Sequence, residues 1–463
     1  MTEQLKLKLN DSKATRWGAL VIVAFTMMAA YYVNDVVAPL KTMLETDLAW
    51  SSTDFGFFTG GYSFLNVFFL MLIWGGLILD RFGIRFTGKL ATILMVGGTA
   101  LEYYAMTGLA GADATLFGIN EIFGYKTGVF VAFAGYSIFG VGAEVAGITV
   151  SKIIAKWFKG KELATAMGVQ VALARIGSQA GYAVAIPLAR AFGISTPVLL
   201  GLVLLLGGMI AFFIFAVMDK KLDKQMEAAA IAAGTEVEEE KFSFKDVKNI
   251  LVNPGFWLIA LLCVLFYSCV FPFQKFASEL MIIKYGINEN VAGTFAGLPA
   301  LGALILTPVF GGFIDKRGKS ASIMLLGSAM LICVHFIYAI PDINYWLVAI
   351  VLMIILGIAF SLVPSAMWPA VAKIFPVSQL GTAYALIFFI QNIGLWGIPT
   401  LIGWVLDAYC ISGKKPDGTN MYDYTVPMCI FTGIACLSLI VALLLKKADK
   451  KYGYKLEEPN IQK

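Results

Sequence analysis

Two ionisable side chains stand inside long apolar stretches of this sequence: Glu144 in a run rich in Gly, Ala and Val, and Arg175 in Ala174-Arg175-Ile176-Gly177-Ser178. A charge placed in hydrocarbon costs about 2.5–3.5 kcal/mol on insertion scales, so such residues are functional candidates by default. Counted from the nearer polar loops, Glu144 and Arg175 both lie roughly 15–18 Å deep at ~1.5 Å per residue. Opposite charges at one depth allow two chemistries, a buried ion pair tying neighbouring helices or a site for a charged solute. Residues three, four and seven apart share a helix face, which extends the two positions into stripes of Ser137, Glu144 and Ser151 and of Arg175, Gln179 and Tyr182. Tyr31, Asn34 and Asp35, with Tyr62, Ser63 and Asn66, supply more polar positions than lipid contact tolerates, and predict a water-filled cavity. Asp35, nearer the outer side, is a candidate proton site or gate. Lys275, roughly 28 Å into its apolar run, reads as snorkelling to the outer interface. Glu102 and the lone His335 read as structural.

The elements that must hold these residues are membrane helices. Of the 463 residues 59% are hydrophobic and 14% charged, against roughly 45–50% and about 25% in soluble domains, so a water-soluble globule is excluded. One histidine and six cysteines without a CxxC spacing leave no metal, zinc or redox motif, and no cofactor is expected. A spanning helix needs about 20 apolar residues. Such windows fall near 17–40, 55–79, 88–109, 128–154, 163–189 and 196–218, then near 256–283, 291–314, 320–340, 344–371, 380–406 and 427–445. The expectation is an all-α membrane protein of twelve spans: a tail at 1–16, a six-helix bundle at 17–218, a charged linker at 219–255, a second six-helix bundle at 256–446 and a tail at 447–463. Of the 35 basic residues, 26 fall in the tails and alternate loops, which by the positive-inside rule puts both termini in the cytoplasm. Basic charge is thereby spent on orientation, and no nucleic-acid partner is expected.

Internal repetition sharpens the architecture. Gly76-Leu77-Ile78-Leu79-Asp80-Arg81-Phe82-Gly83-Ile84-Arg85 after span two returns as Gly311-Gly312-Phe313-Ile314-Asp315-Lys316-Arg317-Gly318-Lys319 after span eight. Ala155-Lys156-Trp157-Phe158 before span five returns as Ala372-Lys373-Ile374-Phe375 before span eleven, at an offset of 217. The same offset carries Arg175 to Asn392, beside Gln391. The chain therefore resembles the major facilitator superfamily, whose loop signature is G-x-L-x-D-R-x-G-x-R. The resemblance implies two six-helix bundles and alternating access, with Asp80, Arg81, Gly83, Arg85, Asp315, Lys316 and Gly318 forming gating latches. A carboxylate there can face the positive N-terminal end of a helix in the other half.

Within that superfamily, Gly140-Val141-Gly142-Ala143-Glu144, Trp157-Phe158-Lys159-Gly160-Lys161-Glu162-Leu163, Val270-Phe271-Pro272-Phe273 and Gln391-Asn392-Ile393-Gly394 resemble the lysosomal dipeptide-uniporter branch. That resemblance implies that Glu144 engages a peptide amino end and Arg175 its carboxylate, with Gln179, Tyr182, Tyr31, Asn66, Gln391 and Asn392 completing the substrate site. The termini of a dipeptide lie roughly 6 Å apart, and Arg offers a planar fork for a carboxylate. The implied function is facilitative uniport of dipeptides by a monomer in the lipid bilayer. The alternatives are a proton-coupled or exchange carrier of small organic anions, and a non-transporting carrier-like receptor or subunit; an accessory membrane subunit is a candidate partner. An enzyme is not expected. The sequence departs from the branch in a longer outer loop at 110–126 and in Lys275. Cys410 and Cys429 flank an outer loop and are candidates for pairing. Short tails without an acidic dileucine pattern favour a plasma or inner membrane over a lysosomal one.

Overall fold

The computed structural model describes residues 8–111, 114–158, 161–233 and 244–459. It is almost entirely helical. In the first half, α1 (Lys13–Val36) and the short α2 (Lys41–Leu48) are followed by α3 (Ser52–Phe68), α4 (Met71–Thr107), α5 (Thr127–Trp157), α6 (Leu163–Phe192) and α7 (Thr196–Ala233). A linking helix, α8 (Phe244–Val252), leads to α9 (Pro254–Tyr285), α10 (Glu289–Ala296), α11 (Leu298–Arg317), α12 (Ser320–Ala339), α13 (Trp346–Ile374), α14 (Val377–Tyr409) and α15 (Thr425–Tyr452). Among the described residues nine helices are long and apolar enough to span a bilayer, and α3 with α4 forms a further pair bent by 58°.

Local chemistry explains the starts and breaks. Ser51 and Asp54 cap α3 reciprocally, and Asn253 caps α9 ahead of Pro254, each satisfying amides that the first turn leaves unpaired. Gly83 interrupts α4 at φ 75°, ψ 174°, so spans two and three of the sequence join through a residue only glycine readily accommodates. Gly318 does the same after α11 at φ 70°; a side chain there would also strike the backbone of Glu457 and Glu458. The expected linker begins as helix, since α7 continues through Asp219 to Ala233; residues 234–243 lie outside the described residues. The loops between α4 and α5 and between α14 and α15 contain two hairpins that apolar periodicity does not reveal, β1 (Glu121–Ile122) with β2 (Tyr125–Lys126) and β3 (Ile411–Lys414) with β4 (Asn420–Tyr422).

Small residues on α5 let backbones approach, as in membrane helices generally. A Cβ on Gly140 would meet the Tyr62 carbonyl oxygen of α3 at 2.0 Å, and one on Gly142 would meet that of Ala91 in α4 at 2.7 Å. Both tails lie on one face of the molecule. Arg16 forms a bidentate pair with Glu162 between α5 and α6, while Ser320 donates to the Leu456 carbonyl and Lys319 to that of Glu457. This is called the tail face below, and its opposite the far face.

The halves meet on the far side. α3 packs on α14 so tightly that a Cβ on Gly56 would sit 2.4 Å from the Pro399 oxygen, and one on Gly403 would sit 2.2 Å from the Ser52 oxygen. The Asp407 carboxylate at the end of α14 accepts from the amides of Ser52 (3.3 Å) and Thr53 (2.6 Å), placing negative charge at the positive N-terminal end of α3. Gly403→Ala must therefore part the halves on the far side. Overpacking of this kind typically costs 1–3 kcal/mol; the expected outcome is greater far-face labelling of probes beside Asp407, with helical content unchanged in circular dichroism.

Candidate functional site

Glu144 on α5 and Arg175 on α6 are both half-buried. Tyr62 of α3 donates to Glu144 Oε1 at 3.0 Å. The Arg175 guanidinium lies 5.6 Å from the Tyr31 ring and 4.9 Å from that of Phe360 on α13 in the other half, distances at which ring quadrupoles attract a cation. Among the described residues no ion pair within 4.0 Å joins Glu144 to Arg175, so the interhelical ion pair open to the sequence is not formed in this state.

Exposure along the Glu144 stripe shows where solvent enters. Ser137, toward the far face, is 1% exposed, Glu144 is half-buried and Ser151, toward the tail face, is exposed. The Arg175 stripe runs the same way, with Tyr182 at 2%. The cavity opens to the tail face and is closed beyond the two charges. The opposing wall is aromatic: Tyr267 stacks on Phe271 (5.5 Å between centroids), Phe271 meets Phe360 (5.3 Å), and Trp368 lies against Phe388 (4.9 Å). Charge belongs to one half and apolar surface to the other.

The remaining expected substrate residues separate into groups. Tyr31 stands at Arg175. Gln179 and Tyr182 belong to the far-side seal: Gln179 Nε2 donates to the Thr294 carbonyl at 3.3 Å, and the Tyr182 backbone oxygen would meet a Cβ on Gly293 at 2.3 Å. Asn66 is 1% exposed with neither amide atom partnered. Gln391 accepts a weak bond from Cys263 Sγ at 3.4 Å, and Asn392 bonds the Phe388 carbonyl of its own helix.

On the tail face the latch residues Asp80, Arg81 and Arg85 are held within their own half. Asp80 pairs with Lys152 of α5 at 2.8 Å, Arg81 lies over the Phe82 ring, and Arg85 reaches Asp219 and Asp223 within α7, where Lys156 and Trp157 also bond Asp219. Asp315 and Lys316 close α11 ahead of Gly318. Cys410 and Cys429 are both free thiols and do not pair. Lys159 and Gly160 of the quoted α5–α6 loop lie outside the described residues.

Lys275 corrects the sequence reading most sharply. It does not snorkel; its side chain is 11% exposed, and its ammonium donates across the halves to the Asn34 carbonyl, to Asp35 Oδ1 at 3.3 Å and to the Tyr136 hydroxyl at 3.3 Å. Asp35 is further held by Ser178 Oγ and, at 2.9 Å, by Asn34 Nδ2. Sequence reasoning also missed a second charged cluster on the far side. Lys41 pairs with Glu45 and with Glu279, and Lys415 lies 3.7 Å from Glu45 and 3.6 Å from Glu279, with the Tyr424 hydroxyl donating to Glu279. Its members come from α2, α9 and the β3–β4 hairpin, too far apart in the chain for spacing to join them.

Two bundles with a half-buried charged cavity between them define a transporter, and the comparisons agree. The family model of the Major Facilitator Superfamily matches residues 20–398 and 272–458, and the chain belongs to that family. Among curated relatives it is 29% identical over 454 residues to the lysosomal dipeptide transporter MFSD1 of Homo sapiens, covering 95% of this chain and 88% of that one. It is 26% identical over 441 residues to that of Danio rerio, covering 93% and 86%. Among solved structures, the nucleoside transporter NupG (TM-score 0.68, 12% identity, 92% of this chain and 98% of that one) and the D-xylose-proton symporter (0.64, 15%, 93% and 97%) share its fold.

Removing the Lys275 ammonium leaves the Asp35 carboxylate without its cation, and breaking a buried pair costs about 3–5 kcal/mol. Lys275→Ala is expected to lower the melting temperature in detergent at neutral pH, and Asp35→Asn added to it to recover most of the loss. Melting equal to the unsubstituted protein would return Lys275 to the interface.

Proposed function

We propose that this protein carries small zwitterionic solutes, most specifically dipeptides, across a membrane by alternating access. The observation that carries the reading is the pairing of an unspent carboxylate and an unspent guanidinium across one solvent-reached cavity: Glu144 for an ammonium, Arg175 for a carboxylate, and the wall of Phe271, Phe360 and Trp368 for side chains of varied shape. An aromatic wall binds apolar surface with little demand on its outline, which suits a class of substrates rather than one molecule. The likeness to the dipeptide transporters of vertebrates over nearly the whole chain supports the same class. Glu144 and Arg175 by themselves support facilitative movement, since water can solvate both when substrate leaves.

In this state the cavity faces the tails. The distribution of basic residues makes that side the cytoplasm, in a plasma or inner membrane, with the protein acting as a monomer. The Asp80 and Asp315 loops then engage the other half only when the tail face closes. Reciprocally, Asp407 caps α3 only while the far face is closed.

Counterflow in proteoliposomes tests the reading, with dipeptides, single amino acids and small carboxylates compared side by side. Dipeptides are expected to exchange. Arg175→Lys should lower the apparent affinity about tenfold or more, because a point charge replaces a bidentate donor worth about 1.5–3 kcal/mol, and Glu144→Gln should abolish zwitterion exchange. Exchange of carboxylates without dipeptides would overturn the proposal. It would favour the second reading, an organic-anion carrier, which the absence of an ion-pair partner for Arg175 among the described residues also accommodates.

A further inference from the structure

Beside the first latch motif the tail face holds a groove of about 440 Å³ between α4 and α7, with Phe82, Arg85, Phe86 and Lys89 on one wall and Ala216, Val217 and Lys220 on the other. The volume falls within the ~300–1,000 Å³ usual for small-molecule sites. Packing explains the position of the groove. A Cβ on Gly88 would sit 1.9 Å from Phe212 Cζ, so the two helices touch at this turn and the side chains flanking the contact frame a furrow. Arg85 and Lys89 stand one turn apart on α4, and Phe213, Val217 and Lys220 follow at i, i+4 and i+7 on α7, each set on one helical face. The Lys89 ammonium lies 5.1 Å from the Phe213 ring, an attraction that draws it across to the α7 side.

The charge around this groove does not cancel. Asp219 and Asp223 are shared by Arg85 and Lys156, two carboxylates against two cations. Among the described residues neither Lys89 nor Lys220 has an anion within 4.0 Å, so both are surplus positive charge, on opposite walls of one cavity. Membrane orientation asks only that cations lie on this face. It does not ask two of them to line a cavity whose acids are already neutralised.

Away from the tails the surface beside the groove stays apolar and open, with Ile93 on α4 and Ile210, Phe213, Ile214 and Val217 on α7 all exposed. The apolar window of span three starts near residue 88 and that of span six ends near 218, which sets Lys89 and Lys220 at the edge of the hydrocarbon, level with lipid phosphates. We propose that the groove binds one anionic phospholipid of the tail-side leaflet, with its phosphate between the Lys89 and Lys220 ammonium groups and its acyl chains along Ile93, Ile210, Ile214 and Val217. Basic pockets between spanning helices on the cytoplasmic side suit lipid headgroups of this kind. Charge, depth and the apolar track together select this occupant; a soluble phosphate uses the cations alone and leaves the track bare. The lipid rests against Arg85, the last residue of the first latch motif, and its site is separate from Glu144 and Arg175, so the proposal stands whichever solute is carried.

Native mass spectrometry of the full chain, released from detergent after incubation with lipid, tests the site with phosphatidylglycerol as the probe and phosphatidylcholine of the same chains beside it. One retained phosphatidylglycerol per chain is expected, at a level phosphatidylcholine does not reach, and glycerol 3-phosphate is expected not to displace it. Lys89→Gln with Lys220→Gln should weaken retention roughly thirtyfold, the equivalent of about 1 kcal/mol for each cation. Val217→Trp fills the groove without altering charge and should lose the lipid as well. The control is Lys447→Gln with Lys450→Gln, two exposed cations of α15 on the same face, which should retain it in full. Circular dichroism checks that each variant keeps its helical content. Absent retention, equal retention of the two lipids, displacement by glycerol 3-phosphate, retention that survives either groove variant, or an equal loss in the α15 control would each overturn the proposal.

Discussion

A charge inside a membrane protein must have either a partner or water, because an unpaired ion in low dielectric costs several kcal/mol. That constraint arranges the interior of this transporter. Glu144 and Arg175 are kept half-solvated and unpaired with each other, while Asp35, Lys275 and the Lys41–Glu45–Glu279–Lys415 cluster are dry and paired. Wet charges sit on the open side of the cavity, dry ones on the closed side. A rearrangement that opens the far face must solvate the second group, so the electrostatics of the interior and the conformational cycle are one problem.

The helix ends repeat the logic at the rims. Asp407 caps the N-terminal end of α3 across the interface, and the loop carboxylates Asp80 and Asp315 occupy the equivalent places at the opposite ends of related spans. In the present state the far cap is made, and Asp80 is satisfied by Lys152 of its own half. Charge-to-helix-end contacts of this kind are worth only about 0.3–2 kcal/mol each, which suits parts that must exchange during a cycle. The close backbone contacts at Gly56 and Gly403 contribute shape where the caps contribute charge.

Composition and periodicity were enough to read an all-helical membrane protein, because apolar runs and basic loops answer directly to the bilayer. The duplicated loop motifs were legible too, since Gly83 and Gly318 are demanded by local backbone geometry. Glu144 and Arg175 could be placed at one depth from residue rise alone. Lys275 could not be read in the same way. Depth put it near an interface, and only its position relative to α1, 240 residues away in sequence, turned an expected surface group into a cross-half partner. Gln179 and Tyr182 share a helical face with Arg175, but a face crosses from cavity to seal within two turns, and periodicity does not mark where.

What the sequence determined by itself is therefore what depends on one helix at a time: which stretches prefer hydrocarbon, how deep each charge lies, which loops are basic, and where the chain must turn. Tertiary structure decided what depends on several helices at once: that Glu144 of α5 and Arg175 of α6 remain apart within the first half and, between the halves, that Lys275 closes on Asp35 and that Phe360 of α13, packed on Phe271 of α9, faces Arg175. The physical reason is that solvation of a buried charge is set by its neighbours in space, and in this fold those neighbours arrive from spans far apart in the chain.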